Sequence, residues 1–362
     1  MSKIKYALIG CGRIAPNHIA AALHHADRLE LTAVCDVVPA HMEALLSKFD
    51  LQDTPVRRYT DYHEMLRAEK PELCAIATES GKHAQIALDC IENGANLIIE
   101  KPIALSLSDV DAIIERASQK GVQVCACHQN RFNKAIQKIR GALEKGQFGR
   151  LLHGTAHIRW NRSEDYYKQA PWRGTWEQDG GALMNQCIHN IDLLRWMMGD
   201  EVDEVMAYTD RLCHPYIEAE DLGIAVVRFK NGAYGIVEGT TNIYPNNLEE
   251  TLYLFGETGT VKAGGKSVNL IEEWRFKDQD EDSEEVKRAY GDNPPNVYGF
   301  GHTPLYENVI DAITNGTDVY IDAKAGRRAL ELVLAIYKSA HEHTPVKLPL
   351  DRCSTTDFIG RF

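Results

Sequence analysis

Hydrophobic and polar positions change rhythm once along this chain, near residue 128. Before that point, short apolar runs alternate with amphipathic stretches of helical period. Lys5–Ile9, Leu31–Cys35, Leu73–Thr78, Asn96–Glu100 and Gln123–Cys127 read as strands. His18–His25, Ala40–Lys48, His83–Asn93 and Leu107–Lys120 read as helices, and Gly94 and Gly121 close the last two as left-handed caps. Strands separated by helices of this length predict βαβ units and a parallel sheet. After a helix over Lys134–Glu144, the strand-like runs lengthen and alternate: Leu151–Arg159, Val202–Arg211, Gly223–Phe229, Ala233–Thr241 and Thr251–Phe255. Lys230, Asn231 and Gly232 supply a hairpin signal. One strong helix, Gln186–Met198, interrupts these strands. The expected class is α/β, with a parallel sheet in residues 1–127 and a mostly antiparallel open sheet, helices on one face, in residues 128–362. An amphipathic helix over Ala325–Glu342 is expected to pack back on the N-terminal domain. Lys277–Val286, dense in acidic side chains, reads as an exposed mobile loop, and Asn293, Pro294, Pro295 and Asn296 follow it.

A length of 362 residues suits two domains, and 44% hydrophobic with 25% charged residues suits folded cores. The net charge of −12, without a long basic run, argues against a nucleic-acid or anionic-membrane partner. Nine cysteines are scattered, and Cys35, Cys74 and Cys90 lie inside apolar runs where a buried thiol is the simple reading. Cys125, Cys127 and His128 lack a second ligand pair, so no metal is expected. The N-terminal apolar stretch is too short for a signal peptide, and no run approaches the roughly 18 apolar residues of a membrane span. A cytoplasmic protein is expected.

Gly10, Gly12 and Ala15 lie where a strand meets a helix. The glycines permit a tight turn and close approach of backbone amides to a pyrophosphate, and the helix N-terminus adds partial positive charge. Asp36 ends the next strand, 24 residues after Gly12. A carboxylate there can bond both ribose hydroxyls of NAD and repels the 2′-phosphate of NADP. NAD is therefore the expected cofactor of a Rossmann-type N-terminal domain, with Arg57 and Arg58 leaving NADP as the second choice.

Glu100, Lys101 and Pro102 follow an apolar strand, at the end that faces the ligand crevice of an open parallel sheet. The other dense constellation runs from Gly180 to Asp192 and includes Asn185, Gln186 and His189. A helix puts Asn185 and His189 on one face, and the Gly180–Gly181 pair reads as room for backbone to approach a ligand. With GCGRIA at 10–15, ATESGKH at 77–83, EKP at 100–102, GGALMNQCIHNID at 180–192 and FGETGT at 255–260, nearly the whole chain resembles the Gfo/Idh/MocA oxidoreductases of sugars and polyols. The resemblance implies catalytic Lys101 and His189, and a cofactor site drawn from Gly10, Gly12, Arg13, Ile14, Asp36, Thr78, His83, Glu100 and Lys101. Many members carry Asp four residues before the His, whereas this chain carries Asn185. That variant is similar to the branch acting on UDP-N-acetyl-glucosaminuronate at C3.

The expected chemistry moves a hydride from a sugar C–H to nicotinamide while a base takes the hydroxyl proton. His189 suits the base, and Lys101 suits stabilisation of developing alkoxide charge, although a desolvated Lys can exchange roles with it. Asn185 and Gln186 are expected to orient the substrate. Arg162, Trp172 and Arg173, in a segment mixing Arg with aromatics, are candidates for gripping a base, phosphate or carboxylate; a packed aromatic loop is the plain alternative. Tyr244–Asn247 is a second candidate loop. The substrate is expected to be a sugar, polyol or nucleotide sugar. A hydrolase using NAD transiently and a non-catalytic NAD-binding regulator are the competing functions. A homodimer or homotetramer would cover the open sheet face.

Overall fold

The structure, a computed structural model, describes residues 2–199, 201–278, 281–292, 294 and 299–362. It divides into two compact units, the first comprising Met1–Ala104, Ser108–Cys127 and His302–Arg327, the second Leu105–Leu107, His128–Gly301 and Arg328–Phe362.

The first unit alternates strand and helix: β1 (Ile4–Ile9), α1 (Ala15–His24), β2 (Leu29–Cys35), α2 (Pro39–Lys48), β3 (Arg57–Tyr59), α3 (Tyr62–Glu69), β4 (Leu73–Ile76), α4 (His83–Glu92), β5 (Asn96–Ile99), α5 (Leu107–Lys120) and β6 (Val124–Ala126). All six strands pair in parallel, in the order β3-β2-β1-β4-β5-β6. Every side chain of β4 is buried, as a strand covered on both faces requires. Strand order reverses between β1 and β4, so the chain leaves the sheet at Gly10 and Ala77 on either side of the topological switch point. The polar β3 and α3 went unread in the sequence, and so did a late helix, His302–Asn315, that completes this unit. Its Tyr306 hydroxyl lies 2.7 Å from that of buried Tyr6 on β1, and the Ala126 amide donates to Ile321 at 3.0 Å.

The second unit contains α6 (Lys134–Glu144), β7 (Leu151–Arg159), α7 (Glu164–Lys168), a π-helical turn (Leu183–Cys187), α8 (Ile188–Met198), β8 (Val202–Asp210), β9 (Leu222–Phe229), β10 (Tyr234–Thr240), β11 (Glu249–Gly256), β12 (Gly259–Gly264), β13 (Leu270–Phe276) and α9 (Ser283–Ala289). The helix already named, α10 (His302–Asn315), follows in the chain, then α11 (Ala323–Glu342) and β14 (Val346–Lys347). Eight strands pair in the order β13-β12-β11-β7-β10-β9-β8-β14. Every pair is antiparallel except β7 with β10. One face, lined by Ala156, Ile158, Ala225, Val227, Val237 and Leu252, is buried. The opposite face exposes Tyr208, Ile224, Val226, Tyr234 and Ile236. The expected acidic loop is in part helix α9, whose N-cap Asp282 accepts from the amides of Glu284 and Glu285. Gln279 and Asp280, like Asn293, Pro295 and Asn296, lie outside the described residues. Among the described residues no helix is long and apolar enough to cross a membrane.

Candidate active site

The first unit builds a dinucleotide cradle from two loops. Gly10 has φ +95°, and a Cβ there would fall 2.5 Å from the Ala77 carbonyl, so only glycine fits. The Asp36 carboxylate clamps the turn: Oδ2 accepts from the Cys11 amide and Oδ1 from the Val38 amide, both at 2.8 Å. Helix α1 has no side-chain cap at Ile14; the Ala15 amide donates to the Gly12 carbonyl at 3.2 Å and the Asn17 amide to that of Ile14 at 2.9 Å. The turn is thus closed by backbone, and the helix dipole points its positive end at the cradle. A pyrophosphate suits that cradle, and a ribose suits the Asp36 edge. Arg58 is committed to Glu43 and to the carbonyls of Val56 and Gln52. Arg57 pairs with Glu69 at 3.3 Å. Neither guanidinium is held for a 2′-phosphate. Arg13 is exposed, with Ile14 half-buried beside it, and Thr78 is half-buried where β4 ends.

His83 and Glu100 sit in the same unit but look inward. His83 Nδ1 lies 2.8 Å from the Pro102 carbonyl and Nε2 3.1 Å from that of Thr78. Both ring nitrogens are engaged, and burial lowers the pKa despite these two carbonyls. Its geometry ties the loop after β4 to the loop after β5. Glu100 Oε2 accepts from the Lys101 amide at 3.2 Å. Glu100 Oε1 meets His18 Nε2 at 3.1 Å and His302 Nε2 at 3.4 Å. Burial pushes this carboxyl up, but the two histidines outweigh it and hold the pKa well below the usual value. His18 Nδ1 in turn lies 2.8 Å from Tyr306 Oη. His18, Glu100 and His302 bring their ligand atoms within 4.8 Å of one another, close enough for a metal ion. These atoms lie in one hydrogen-bonded series, Tyr6–Tyr306–His18–Glu100–His302. Lys101 is half-buried directly after this anchor.

The second unit presents the other group. Residues 181–198 are buried throughout except for Asn185 and His189, which are half-buried. The expected α-helix from Gln186 instead opens with the π-helical turn Leu183–Cys187, a feature found often at functional sites. The glycine pair before it makes room for protein, contrary to the expectation of room for a ligand. A Cβ at Gly181 would fall 1.6 Å from Glu220 Oε2, and one at Gly180 would fall 2.6 Å from Met184. Glu220 Oε1 accepts from the Leu183 amide at 2.8 Å and from Tyr337 Oη at 3.0 Å. Glu220 thus caps the turn that carries Asn185, and burial pushes its carboxyl up to about 8. Near His189, the His128 ring packs edge-on at 5.8 Å. Asp192 is gripped bidentately by Arg131 at 2.6 and 2.7 Å. Burial raises its pKa, but Arg131, His128 and His189 together bring it below the ordinary value. Asp192 is therefore an anchor of α8.

Arg162, Trp172, Arg173 and Gln186 meet around a residue the sequence did not single out, Tyr166. Its hydroxyl accepts from Arg173 Nη1 at 2.8 Å and Gln186 Nε2 at 3.2 Å. Arg162 stacks 5.1 Å from its ring centroid and Arg173 4.4 Å, while Arg173 also lies 4.5 Å from Trp172. The Tyr244–Asn247 loop joins them, because Asn247 Oδ1 accepts from Arg162 Nη1 at 3.2 Å. Two further residues were missed: Asp179, which accepts from Asn185 Nδ2, and Arg131. Spacing alone carried no signal for Tyr166 or Arg131. Asp179 adjoins the glycine pair and could have been read with it.

A glycine cradle, an acidic strand end and an EKP loop in one unit, with a half-buried Asn–His pair in the other, lie within the matches to two family models. An oxidoreductase-family NAD-binding Rossmann fold covers residues 4–128, and an oxidoreductase-family C-terminal alpha/beta domain covers 140–348. This chain belongs to the Gfo/Idh/MocA family. It is an NAD-binding oxidoreductase in a family whose named members include sugar and polyol dehydrogenases. The WlbA dehydrogenase of Bordetella pertussis, solved with NADH and UDP-GlcNAcA, is 37% identical, with 97% of this chain and 99% of that one covered and a TM-score of 0.88. Its counterpart from Chromobacterium violaceum, solved with the same two molecules, is 38% identical over 96% and 97% of the chains, also at 0.88. The myo-inositol 2-dehydrogenase of Thermotoga maritima is 26% identical, covering 95% of this chain and 98% of its own length. Membership gives the first unit its ligand, NAD.

Proposed function

We propose that this protein oxidises a secondary hydroxyl of a nucleotide-linked sugar acid, C3 of a UDP-N-acetyl-sugar acid being the leading assignment. One observation carries the reading over a neutral polyol: two guanidiniums, Arg162 and Arg173, flank Tyr166 beside Gln186. Paired Arg side chains grip phosphate or carboxylate oxygens, which inositols and free neutral sugars lack. The 37–38% identity to two dehydrogenases solved with UDP-GlcNAcA supports the same class.

In the reaction the O–H and C–H bonds of one carbinol break and a C=O bond forms. NAD, when bound, accepts the hydride. His189 takes the hydroxyl proton on a ring nitrogen, and Lys101 offers its ammonium to the developing alkoxide. Either group can serve as the base, so the pair is assigned jointly. Asn185 and Gln186 orient the sugar, Arg162, Trp172 and Arg173 its charged or aromatic appendage. Gly10, Gly12, Arg13, Ile14, Asp36 and Thr78 surround the cofactor, while His83 and Glu100 hold the loops that carry it. The test is NAD reduction across UDP-N-acetylglucosaminuronate, UDP-N-acetylglucosamine, the free sugar acid and myo-inositol. Fastest turnover with the nucleotide sugar acid is expected; preference for myo-inositol would overturn the substrate class.

A homodimer or homotetramer covering the exposed sheet face is part of this proposal. Tyr208 stands opposite Ile224, and Ile236 opposite Val226, so the apolar side chains form one continuous patch. The cytoplasm is the proposed compartment, since the cysteines are free thiols, with Cys213 the exposed one.

A further inference from the structure

Asp179 is 2% exposed, and its two oxygens reach different substrate-bearing elements. Oδ1 accepts from Asn185 Nδ2 on the π-helical turn. Oδ2 accepts from the amide of Gly174 at 2.7 Å, next to Trp172 and Arg173 in the preceding loop. With both Asp179 oxygens accepting, Asn185 turns its amino group toward Asp179. The Asn185 carbonyl then faces the other way. It lies within hydrogen-bonding distance of Gln186 Nε2, at 3.3 Å.

We propose that Asp179 is a positioning residue that dictates an amide at position 185, fixing the orientation of the Asn185 side chain toward the substrate and locking the Trp172–Arg173 loop beside it. The substrate half of this statement rests on the dehydrogenase reading; the pairing does not. A carboxylate at 185 would face Asp179 within hydrogen-bonding range, and two buried like charges at that separation cannot both ionise. The departure from the Asp that many family members carry here follows: the amide answers a buried carboxylate six residues upstream in this chain. Asp179 itself is spent on protein contacts and takes no part in the chemistry.

Four proteins test the assignment: wild type, Asn185→Asp, Asp179→Asn, and the double exchange. In the double exchange the polarity of the pair reverses, the amide at 179 accepting from Gly174 and donating to the carboxylate at 185. Each single variant should lose at least about 100-fold in kcat/KM, as expected for a misplaced substrate contact. The double exchange should recover to within about tenfold of wild type. Its acid limb of kcat/KM should also move to higher pH, because a carboxylate one turn before His189 favours the imidazolium. A merely structural pair would lower the melting temperature of the single variants and leave kcat/KM of the folded proteins near wild type. Melting temperatures of the four proteins give the same coupling without substrate. A single variant that fails to fold while the double exchange folds supports the pairing. Additive losses, or a double exchange less stable than either single, overturn it. If wild type reduces no NAD with any sugar offered, the dehydrogenase reading falls, and the melting cycle still decides the pair.

Discussion

At the scale of single residues, the functional assignment stands or falls on Lys101 and His189. Lys101→Ala and His189→Ala should each lower kcat by about 10²–10⁴, the usual worth of a general acid or base. NAD affinity should stay within a few-fold in His189→Ala, because no cradle atom belongs to it; calorimetry with NAD alone checks this. Either variant keeping more than about a tenth of wild-type kcat would mean the site is misassigned. Asp36→Ala is expected to do two things, since the carboxylate holds the Cys11 and Val38 amides and is the proposed partner of the cofactor ribose. NAD should bind more weakly, and its preference over NADP should shrink; an unchanged NAD-to-NADP affinity ratio would remove Asp36 from the discrimination. The sequence could single these residues out because each sits in a local motif: a strand, a sharp turn, a helix start. Tyr166 and Glu220 do not. Tyr166 acts on Gln186 twenty residues away and Glu220 on Leu183 thirty-seven away, separations that no local pattern encodes. The glycine pair shows the limit well: its smallness was visible, but what filled the space was a carboxyl from a distant strand end.

At the scale of elements, the turn before α8 makes stability depend on pH. Glu220 ionises near 8 in the folded protein and near 4.5 when its surroundings are lost. Between those values the folded state holds a proton that the unfolded chain releases, so stability falls as pH rises through the window and levels off above 8. Buried Glu250, raised to about 8 as well, adds to the same slope. Glu220→Gln keeps an acceptor for Leu183 and removes the titration. Its melting temperature should fall less than that of wild type between pH 5 and 9, with a gap on the order of a few kcal/mol at the alkaline end. Parallel melting curves across that range would refute the assignment. Sequence periodicity gave the long elements here and missed the marginal ones. Strand β13 carries Glu272, Glu273 and Arg275 among its apolar positions, and β12 is glycine-bounded, so neither alternates cleanly. The π-turn was invisible because the hydrophobic spacing of residues 183–198 fits an α-helix almost equally well.

At the scale of the whole molecule, the open sheet predicts assembly. Replacing Ile224 and Val226 together by Lys puts two charges on the apolar face and should shift a dimer or tetramer toward monomer. Light scattering at micromolar concentration reads the change; a wild-type monomer would end the proposal. The first unit carries a different consequence, one of timing. Its core is not contiguous: Tyr6 and His18 find Tyr306, and Glu100 finds His302, on a helix encoded near the far end of the chain. A ribosome working at about 5–20 residues per second needs on the order of ten to thirty seconds to travel from Cys127 to His302. Throughout that interval the nascent dinucleotide cradle has its strands but not its closing helix, with a tyrosine, a histidine and a carboxylate waiting for partners not yet made. A stop codon anywhere in that stretch would therefore leave Tyr6, His18 and Glu100 without these partners, even though every residue of the glycine turn had already been translated.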